Sequence, residues 1–177
     1  MAAGCLALSA CSLEQDVASK PLGAGPGGGQ PAPQLRGTLV DGGVFDLSAA
    51  RGRPVVIDFF ATWCGPCHHE QPGLNSVAAR YAGRVTVIGV DMKESAAEVT
   101  GYERAEAVPY GALIDVDGSL AALFNVPAPP VTLVVDSGGR IAQTFIGEVS
   151  AATLTASLEA VLAARSPSNR AAATSSS

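Results

Sequence analysis

Short apolar runs alternate with helically spaced apolar residues through the middle of the chain, and this pattern predicts the order of its elements. Residues Pro54–Phe60 and Arg84–Val90 are mostly apolar at consecutive positions, which is typical of strands buried on both faces of a sheet. Between them, Pro66–Tyr81 carries apolar residues at helical spacing. A strand, a helix and a second strand in this order predict a parallel pair of strands joined by a crossover helix.

Glycine-rich turns predict two β-hairpins that flank this unit. Asp41–Gly43 and Ser137–Gly139 contain the residue types that form tight turns. The strands predicted around these turns are Gly37–Val40, Val44–Leu47, Val131–Asp136 and Arg140–Ile146. The other predicted elements are a helix over about Ser95–Ala107, a strand over Gly111–Ile114, a short helix ending near Phe124 and a last helix capped by Ser150. The predicted fold class is therefore α/β, a mixed sheet flanked by helices on both faces.

The chain divides into a central domain and two ends of different composition. Residues 34–165 contain all the predicted elements and are enough for a single core. Residues 12–33 are rich in glycine, proline, alanine and serine without apolar periodicity, which predicts a flexible tether. Residues 166–177 have the composition of a disordered tail. Residues 1–11 remain as a short apolar leader.

The composition excludes several classes of protein. Of the 177 residues, 47% are hydrophobic and 15% are charged, which is the balance of a folded chain. The uncharged apolar stretches are too short to cross a bilayer as a helix, so no transmembrane span is expected. The net charge is −5, from 11 basic and 16 acidic residues. Because the basic residues are scattered, whereas nucleic-acid binding requires clustered Lys and Arg, nucleic acid is not an expected partner.

The six residues that end at Cys11 have the sequence LALSAC, which resembles the lipobox of a bacterial lipoprotein signal peptide. The resemblance rests on Leu8, Ser9, Ala10 and Cys11. It implies cleavage before Cys11 and attachment of lipid to its sulfur. Residues 12–33 would then tether the domain to the extracytoplasmic face of the bacterial cell membrane. The alternative is an unstructured alanine-rich leader with stray thiols.

Cys64 and Cys67 form a CxxC pair between a predicted buried strand and a predicted helix. Two cysteines at this spacing on the first turn of a helix can close a small disulfide ring. The unpaired N–H groups and the dipole at the helix N-terminus favour the thiolate of Cys64 and lower its pKa. Since Cys67 lies one turn further in, we expect Cys64 to be the attacking thiolate and Cys67 the resolving thiol. Pro66 suits the first turn, where its missing N–H would be unpaired in any case.

The segment around these cysteines, VVIDFFATWCGPC followed by HHEQP, carries a resemblance to a known family. It resembles the thioredoxin superfamily, and within it the TlpA/ResA-like thiol–disulfide oxidoreductases of the bacterial envelope. The resemblance covers about residues 36–162 and includes a C-x-x-E-x-P continuation through Cys67, Glu70 and Pro72. It implies a thioredoxin-like fold with an N-terminal β-hairpin and a mid-domain insertion of a helix and a strand. It also implies a redox-active disulfide of Cys64 and Cys67, with no other cofactor.

Two acidic residues are candidates for proton transfer. Asp58 interrupts an apolar strand, where burial of a carboxylate is costly and raises its pKa. By resemblance to thioredoxin, Asp58 takes and returns the proton of the second cysteine; the alternative is a structural carboxylate that caps a turn. Glu94 aligns with an acid that ResA-like proteins place near the cysteines, and the alternative for Glu94 is a solvent-exposed residue ahead of a helix.

Three residues match the substrate groove that the resemblance implies. Trp63 precedes the first cysteine, and Pro130 begins a segment similar to the family's cis-proline segment, which would lie opposite the CxxC pair. A trans proline turn is the alternative for Pro130. Pro129 occupies the position where the family pairs its main chain with the substrate, and proline has no N–H to donate. We therefore expect substrate binding to use the Pro129 carbonyl, Trp63 and local apolar contacts.

The expected activity is disulfide exchange with cysteines of exported proteins. The Gly-Pro dipeptide between the cysteines resembles that of reducing thioredoxins, which favours a reductant, with preparation of apocytochrome c thiols for haem attachment as a candidate process. By resemblance, the electron donor would be a CcdA- or DsbD-like membrane protein. An envelope disulfide oxidant is the alternative enzyme.

Two further alternatives are binding proteins rather than enzymes. Cys64, Cys67 and one of the neighbouring histidines, His68 or His69, could hold copper, as Sco-like relatives of this fold do. Adjacent histidines near a helix start are, however, mostly solvated, and an electrostatic effect on the pKa of a cysteine thiol is the alternative role for them. The sequence from Cys64 to His68 also matches CxxCH, the attachment sequence of c-type haem. A buried strand before it and a helix that starts at it leave no haem-sized pocket.

Overall fold

The computed structural model describes residues Gly29–Ala164. Within that range the chain forms strands and helices in the predicted order, and none of its helices is both long and apolar enough to cross a membrane. The lipobox with Cys11, most of the predicted tether and the C-terminal tail lie outside the described residues. The elements are β1 (Arg36–Thr38), β2 (Val44–Asp46), β3 (Val55–Phe60), α1 (Gly65–Arg80), β4 (Thr86–Met92), α2 (Ala96–Ala105), β5 (Ala112–Asp115), α3 (Ser119–Leu123), β6 (Val131–Val135), β7 (Ile141–Ile146) and α4 (Ala151–Ala163).

Five of these strands form one mixed sheet in the order β5-β4-β3-β6-β7. The central strand β3 pairs in parallel with β4, where Val56 lies opposite Val87, and antiparallel with β6, where Val56 lies opposite Val134. β5 adds a further parallel strand beside β4, and β7 pairs antiparallel with β6 as the predicted hairpin. The predicted mixed sheet is confirmed.

The N-terminal hairpin forms a separate two-stranded sheet that lies against the edge of the main one. β1 and β2 pair antiparallel, with Gly37 opposite Phe45. The Val40 N–H donates a hydrogen bond to the Ala112 carbonyl, at 2.9 Å, which joins the hairpin to β5. The helix α2 and the strand β5, which follow β4, supply the helix and strand expected in the middle of the domain.

Both faces of the sheet are covered because successive side chains of the buried strand β3 point to opposite sides. On one face, Ile57 packs in a cluster with Phe124, which follows α3. On the other face, Val56 packs with side chains of α1 and α4, including Leu158. Asp58 is two residues from Val56 and therefore lies on the same face, beneath α1.

Three helices begin at a residue whose side chain accepts a backbone N–H, which satisfies one of the donors left unpaired at a helix start. Ser150 accepts from the N–H of Thr153 at the start of α4, as predicted. Ser95 starts α2 in a reciprocal capping box with Glu98. At the start of α1 the capping side chain is that of Cys64, the first cysteine of the CxxC pair.

The paired structure begins before residue 34, where the sequence predicts the domain to start. Main-chain hydrogen bonds join Ala32 to Gly139 and Ile141 to Gln30, each at 2.9 Å. The Arg140 guanidinium also donates to the Gly29 carbonyl at 2.7 Å. Residues 29–33 therefore lie along the start of β7 and belong to the domain. The sequence did not predict this pairing, because residues rich in glycine and proline that pair through the main chain show no apolar pattern.

Candidate active site

Cys64 and Cys67 form a disulfide at the N-terminus of α1. The S–S distance is 2.08 Å and the two Cα atoms are 5.3 Å apart. The Cys67 N–H also donates to Cys64 Sγ at 3.2 Å. Because a sulfur that already accepts an N–H at a helix start is stabilised further when it is negatively charged, this geometry favours Cys64 as the thiolate of the reduced pair.

The disulfide lies at a boundary between the core and the surface. Cys64 is 4% exposed and Cys67 is 1% exposed, and both pack in an apolar cluster with Phe60 and Tyr102. Trp63, directly before Cys64, is 70% exposed. The apolar surface of this indole is therefore open to solvent directly beside the disulfide.

Asp58 lies on the central strand, flanked by Gly89 in β4 and Thr132 in β6. Its side chain is buried, and its Oδ1 and the Oγ1 of Thr132 have no hydrogen-bond partner among the described residues. Burial raises the pKa of Asp58 to about 7, because the charged form is poorly solvated there. Asp58 can therefore gain or lose a proton near neutral pH.

Glu70 is a buried acid that our sequence analysis did not propose as a functional residue. It lies three residues beyond Cys67 on α1; its Oε2 accepts the Val149 N–H at 2.8 Å, and its Oε1 has no partner among the described residues. Burial, followed by the charge of Asp58, raises the pKa of Glu70 above its ordinary value. The two acids thus form a buried pair that keeps at least one proton at neutral pH. The C-x-x-E-x-P pattern was the sequence signal that could have identified Glu70 as a functional residue.

Glu94 contacts the loop that precedes the cysteines. Its Oε2 accepts the Thr62 N–H at 2.6 Å, and its Oε1 accepts the Thr62 hydroxyl at 2.5 Å. The Glu94 N–H in turn donates to the buried carboxylate of Asp91 at 3.0 Å. Glu94 is largely buried and fixes the position of Thr62, two residues before Cys64.

The two histidines after Cys67 have different surroundings, although the sequence predicts that both are solvated. His68 is half-buried and hydrogen-bonded through both ring nitrogens, to Glu106 at 2.6 Å and to the Thr62 carbonyl at 2.8 Å. His69 is exposed, and its Nδ1 lies 3.7 Å from the Glu148 carboxylate. His68 is therefore only partly solvated, and the sequence did not show its partners because Glu106, at the end of α2, is distant in the chain.

The Pro129–Pro130 peptide bond is cis. Pro130 is buried, and its carbonyl accepts the Gly147 N–H at 2.9 Å. β6 starts immediately after it and pairs antiparallel with β3. The last residues of β3 lead into residues 61–64, the cysteine loop. Pro129 and Pro130 therefore lie at the same edge of the sheet as the cysteine loop. Across residues 29–164, no three His, Cys, Asp or Glu side chains are grouped closely enough to hold a metal ion.

A CxxC disulfide at the start of a helix, after the central strand of a mixed sheet, defines this chain as a thiol–disulfide oxidoreductase of thioredoxin-like fold. The chain belongs to the AhpC/TSA family, whose profile matches residues 28–144. The resemblance drawn from the sequence and the predicted class of enzyme are both confirmed by the relatives described next.

Three proteins illustrate the similarity. The thiol-disulfide oxidoreductase ResA of Bacillus cereus is 26% identical over 121 residues, which cover 68% of this chain and 70% of ResA. A solved thiol:disulfide interchange protein of the thioredoxin family from Chlorobium tepidum matches with a TM-score of 0.70 and 26% identity, over 76% of this chain and 97% of its own. A secreted Mycobacterium tuberculosis disulfide oxidoreductase homologous to E. coli DsbE matches with a TM-score of 0.65 and 27% identity, over 72% of this chain and 96% of its own.

Proposed function

We propose that this oxidoreductase acts outside the cytoplasm as a reductant of disulfides in exported proteins, anchored to the cell membrane by lipid on Cys11. The lipobox-like sequence and the glycine-rich segment after it support the anchor. The secreted M. tuberculosis relative supports a location outside the cytoplasm. The thioredoxin-like domain would then contact its substrates at the extracytoplasmic surface of the cell membrane.

The proposal that the protein acts as a reductant rests on the surroundings of the cysteine pair. Strong oxidants stabilise their reduced form, which keeps the first cysteine as a thiolate. Here the pair is buried among apolar side chains, and the buried acids Asp58 and Glu70 lie on the same face of the sheet. Apolar burial and neighbouring carboxylates disfavour additional negative charge, so they favour the disulfide over the reduced pair and make the couple reducing.

The proposed reaction proceeds in two exchanges. The Cys64 thiolate attacks one sulfur of a substrate disulfide, forms a mixed disulfide and releases the other substrate sulfur as a thiolate, which takes a proton from water. Cys67 then loses its proton and attacks Cys64 Sγ, which releases the second substrate thiol and forms the Cys64–Cys67 disulfide. The substrate gains two electrons and the enzyme loses two. Asp58, which titrates near neutral pH, is the proposed acceptor of the Cys67 proton.

Trp63, Pro129 and Pro130 are the proposed substrate contacts. Trp63 presents an exposed indole beside Cys64, and Pro130 lies at the same edge of the sheet. Since Pro129 has no N–H, the pairing that this position can offer a bound peptide is limited to its carbonyl. The proposed process is reduction of a disulfide in apocytochrome c to the two thiols that attach haem, with electrons from a CcdA- or DsbD-like membrane protein.

The equilibrium potential of the Cys64–Cys67 couple tests the proposed direction. We expect a value near the −270 mV typical of thioredoxin, measured from the fraction of disulfide in glutathione buffers of graded composition. A value near the −180 mV typical of protein disulfide isomerase, or higher, would instead make the chain an oxidant. The measurement uses the full chain without its lipid, because the couple lies within the domain.

A further inference from the structure

Thr62 is held by hydrogen bonds through each of its polar groups. Its N–H and hydroxyl both donate to the Glu94 carboxylate, and its carbonyl accepts from His68 Nε2. His68 is fixed in turn by Glu106, which ends α2. Two side chains from separate parts of the fold therefore immobilise the residue that lies two positions before Cys64.

The partners of His68 determine its protonation state. The Thr62 carbonyl and an ionised Glu106 carboxylate can only accept hydrogen bonds, so both bonds form together only when both ring nitrogens carry a proton. That form is the imidazolium cation. The hydrogen bond to Glu106 is also the first cause of a raised pKa for His68.

We propose that His68, as an imidazolium cation held between Glu106 and Thr62, is a positioning residue that orients the cysteine loop and increases the fraction of Cys64 that is ionised near neutral pH. His68 is the fourth residue after Cys64, which caps α1 from outside the helix with an extended backbone. The imidazolium binds the Thr62 carbonyl in the loop that ends at Cys64, and a positive charge held against this loop favours the ionised sulfur. This inference concerns the ionisation of Cys64 in the reduced pair. By itself the cation shifts the couple towards oxidation and so acts against the buried acids, and its test does not depend on the direction of electron flow.

The groups around His68 come from three elements. From α2 and its end, Tyr102 stacks at 5.0 Å between ring centroids and Glu106 binds Nδ1. From the loop after β4, Glu94 acts through Thr62. At the capping position ahead of α1, Cys64 lies four residues before His68. Glu106 and Glu94 favour the protonated ring, and Tyr102 is uncharged near neutral pH because burial raises its pKa further.

Alkylation of reduced protein tests the inference, with His69→Gln as the matched control for His68→Gln. We would measure the rate at which iodoacetamide modifies Cys64 from pH 5 to pH 9, with peptide mass spectrometry to assign the site. We expect His68→Gln to slow the reaction about threefold or more near pH 6.5 and to converge with the parent protein near pH 9, where the thiolate is formed without help. His69→Gln should follow the parent protein throughout. Coincident profiles for His68→Gln and the parent, or equal changes in the two variants, would overturn the proposal.

A second measurement needs no substitution at His68. If the imidazolium favours the Cys64 thiolate, the thiolate must favour the imidazolium equally, because coupling between two sites is reciprocal. In NMR titrations of the parent protein, the midpoint pH of the His68 ring signals should be higher in the reduced than in the oxidised form. The midpoint pH of the His69 signals should be the same in both forms. In a Glu106→Gln variant, His68 should titrate at lower pH and Cys64 alkylation should slow. A His68 midpoint that is the same in both redox forms would contradict the inference even if His68→Gln failed to fold.

Discussion

A Cys64→Ser variant should reduce disulfides about a thousandfold more slowly than the parent protein, or slower still. A serine hydroxyl remains protonated at neutral pH and cannot form the mixed disulfide, so no covalent path to the substrate remains. The measurement is the initial rate of insulin reduction by the chemically reduced protein. Because Cys64 is the capping residue of α1 and serine also caps helices well, the variant should keep its fold.

Cys67→Ser is the matched control for this variant. It should also lose turnover, but it should still attack a substrate once and remain bound to it as a mixed disulfide, visible as an added mass that a reductant removes. If Cys64→Ser formed the stable mixed disulfide and Cys67→Ser did not, the roles of the two cysteines would be reversed.

An Asp58→Asn variant should be more stable than the parent protein above neutral pH. Burial raises the folded-state pKa of Asp58 from 3.8 to about 7, so the folded chain holds a proton that the unfolded chain releases. The free energy of unfolding of the parent therefore falls as pH rises from about 4 to 7, and asparagine removes that fall. We expect a gain of about 2–4 kcal/mol at pH 8 and little gain at pH 4, measured by urea denaturation of the oxidised protein.

An exposed aspartate provides a control of opposite sign. Hydrogen bonds to Ser119 lower the pKa of Asp117, so Asp117→Asn should reduce stability slightly above pH 4 rather than increase it. A stability gain for Asp58→Asn that did not change between pH 4 and pH 8 would show that the folded and unfolded chains bind the same number of protons at Asp58, so that its pKa is not raised by folding. In that case Asp58 would be too weak a base to hold the Cys67 proton near neutral pH.

The order of elements was predictable because each carries its own local signal. The apolar run at Pro54–Phe60, the glycine turns of the two hairpins and the capping Ser150 each specify structure within a few residues. Pairing of residues 29–33 with β7 was not predictable in this way, because it depends on main-chain hydrogen bonds between segments more than 100 residues apart.

The same contrast between local signals and contacts of distant segments applies to the site. Cys64 and Cys67 were predictable from their spacing and their place at a helix start, and Asp58 from its position in an apolar strand. Glu70 and His68 lie on the same helix as the cysteines, yet their roles depend on Val149, Thr62 and Glu106, which only the tertiary fold brings near. A polar residue on a helix is usually exposed, so the sequence favoured a solvated side chain for His68 and gave no role to Glu70 beyond the C-x-x-E-x-P pattern.

The most direct test is to find which sulfur of the fully reduced protein reacts first. Treatment at pH 7 with less than one equivalent of iodoacetamide, followed by peptide mass spectrometry, should place the label on Cys64, at a rate above that of glutathione under the same conditions. Label on Cys67 instead, or a Cys64 rate no higher than that of glutathione, would contradict the assignment of Cys64 as the activated nucleophile.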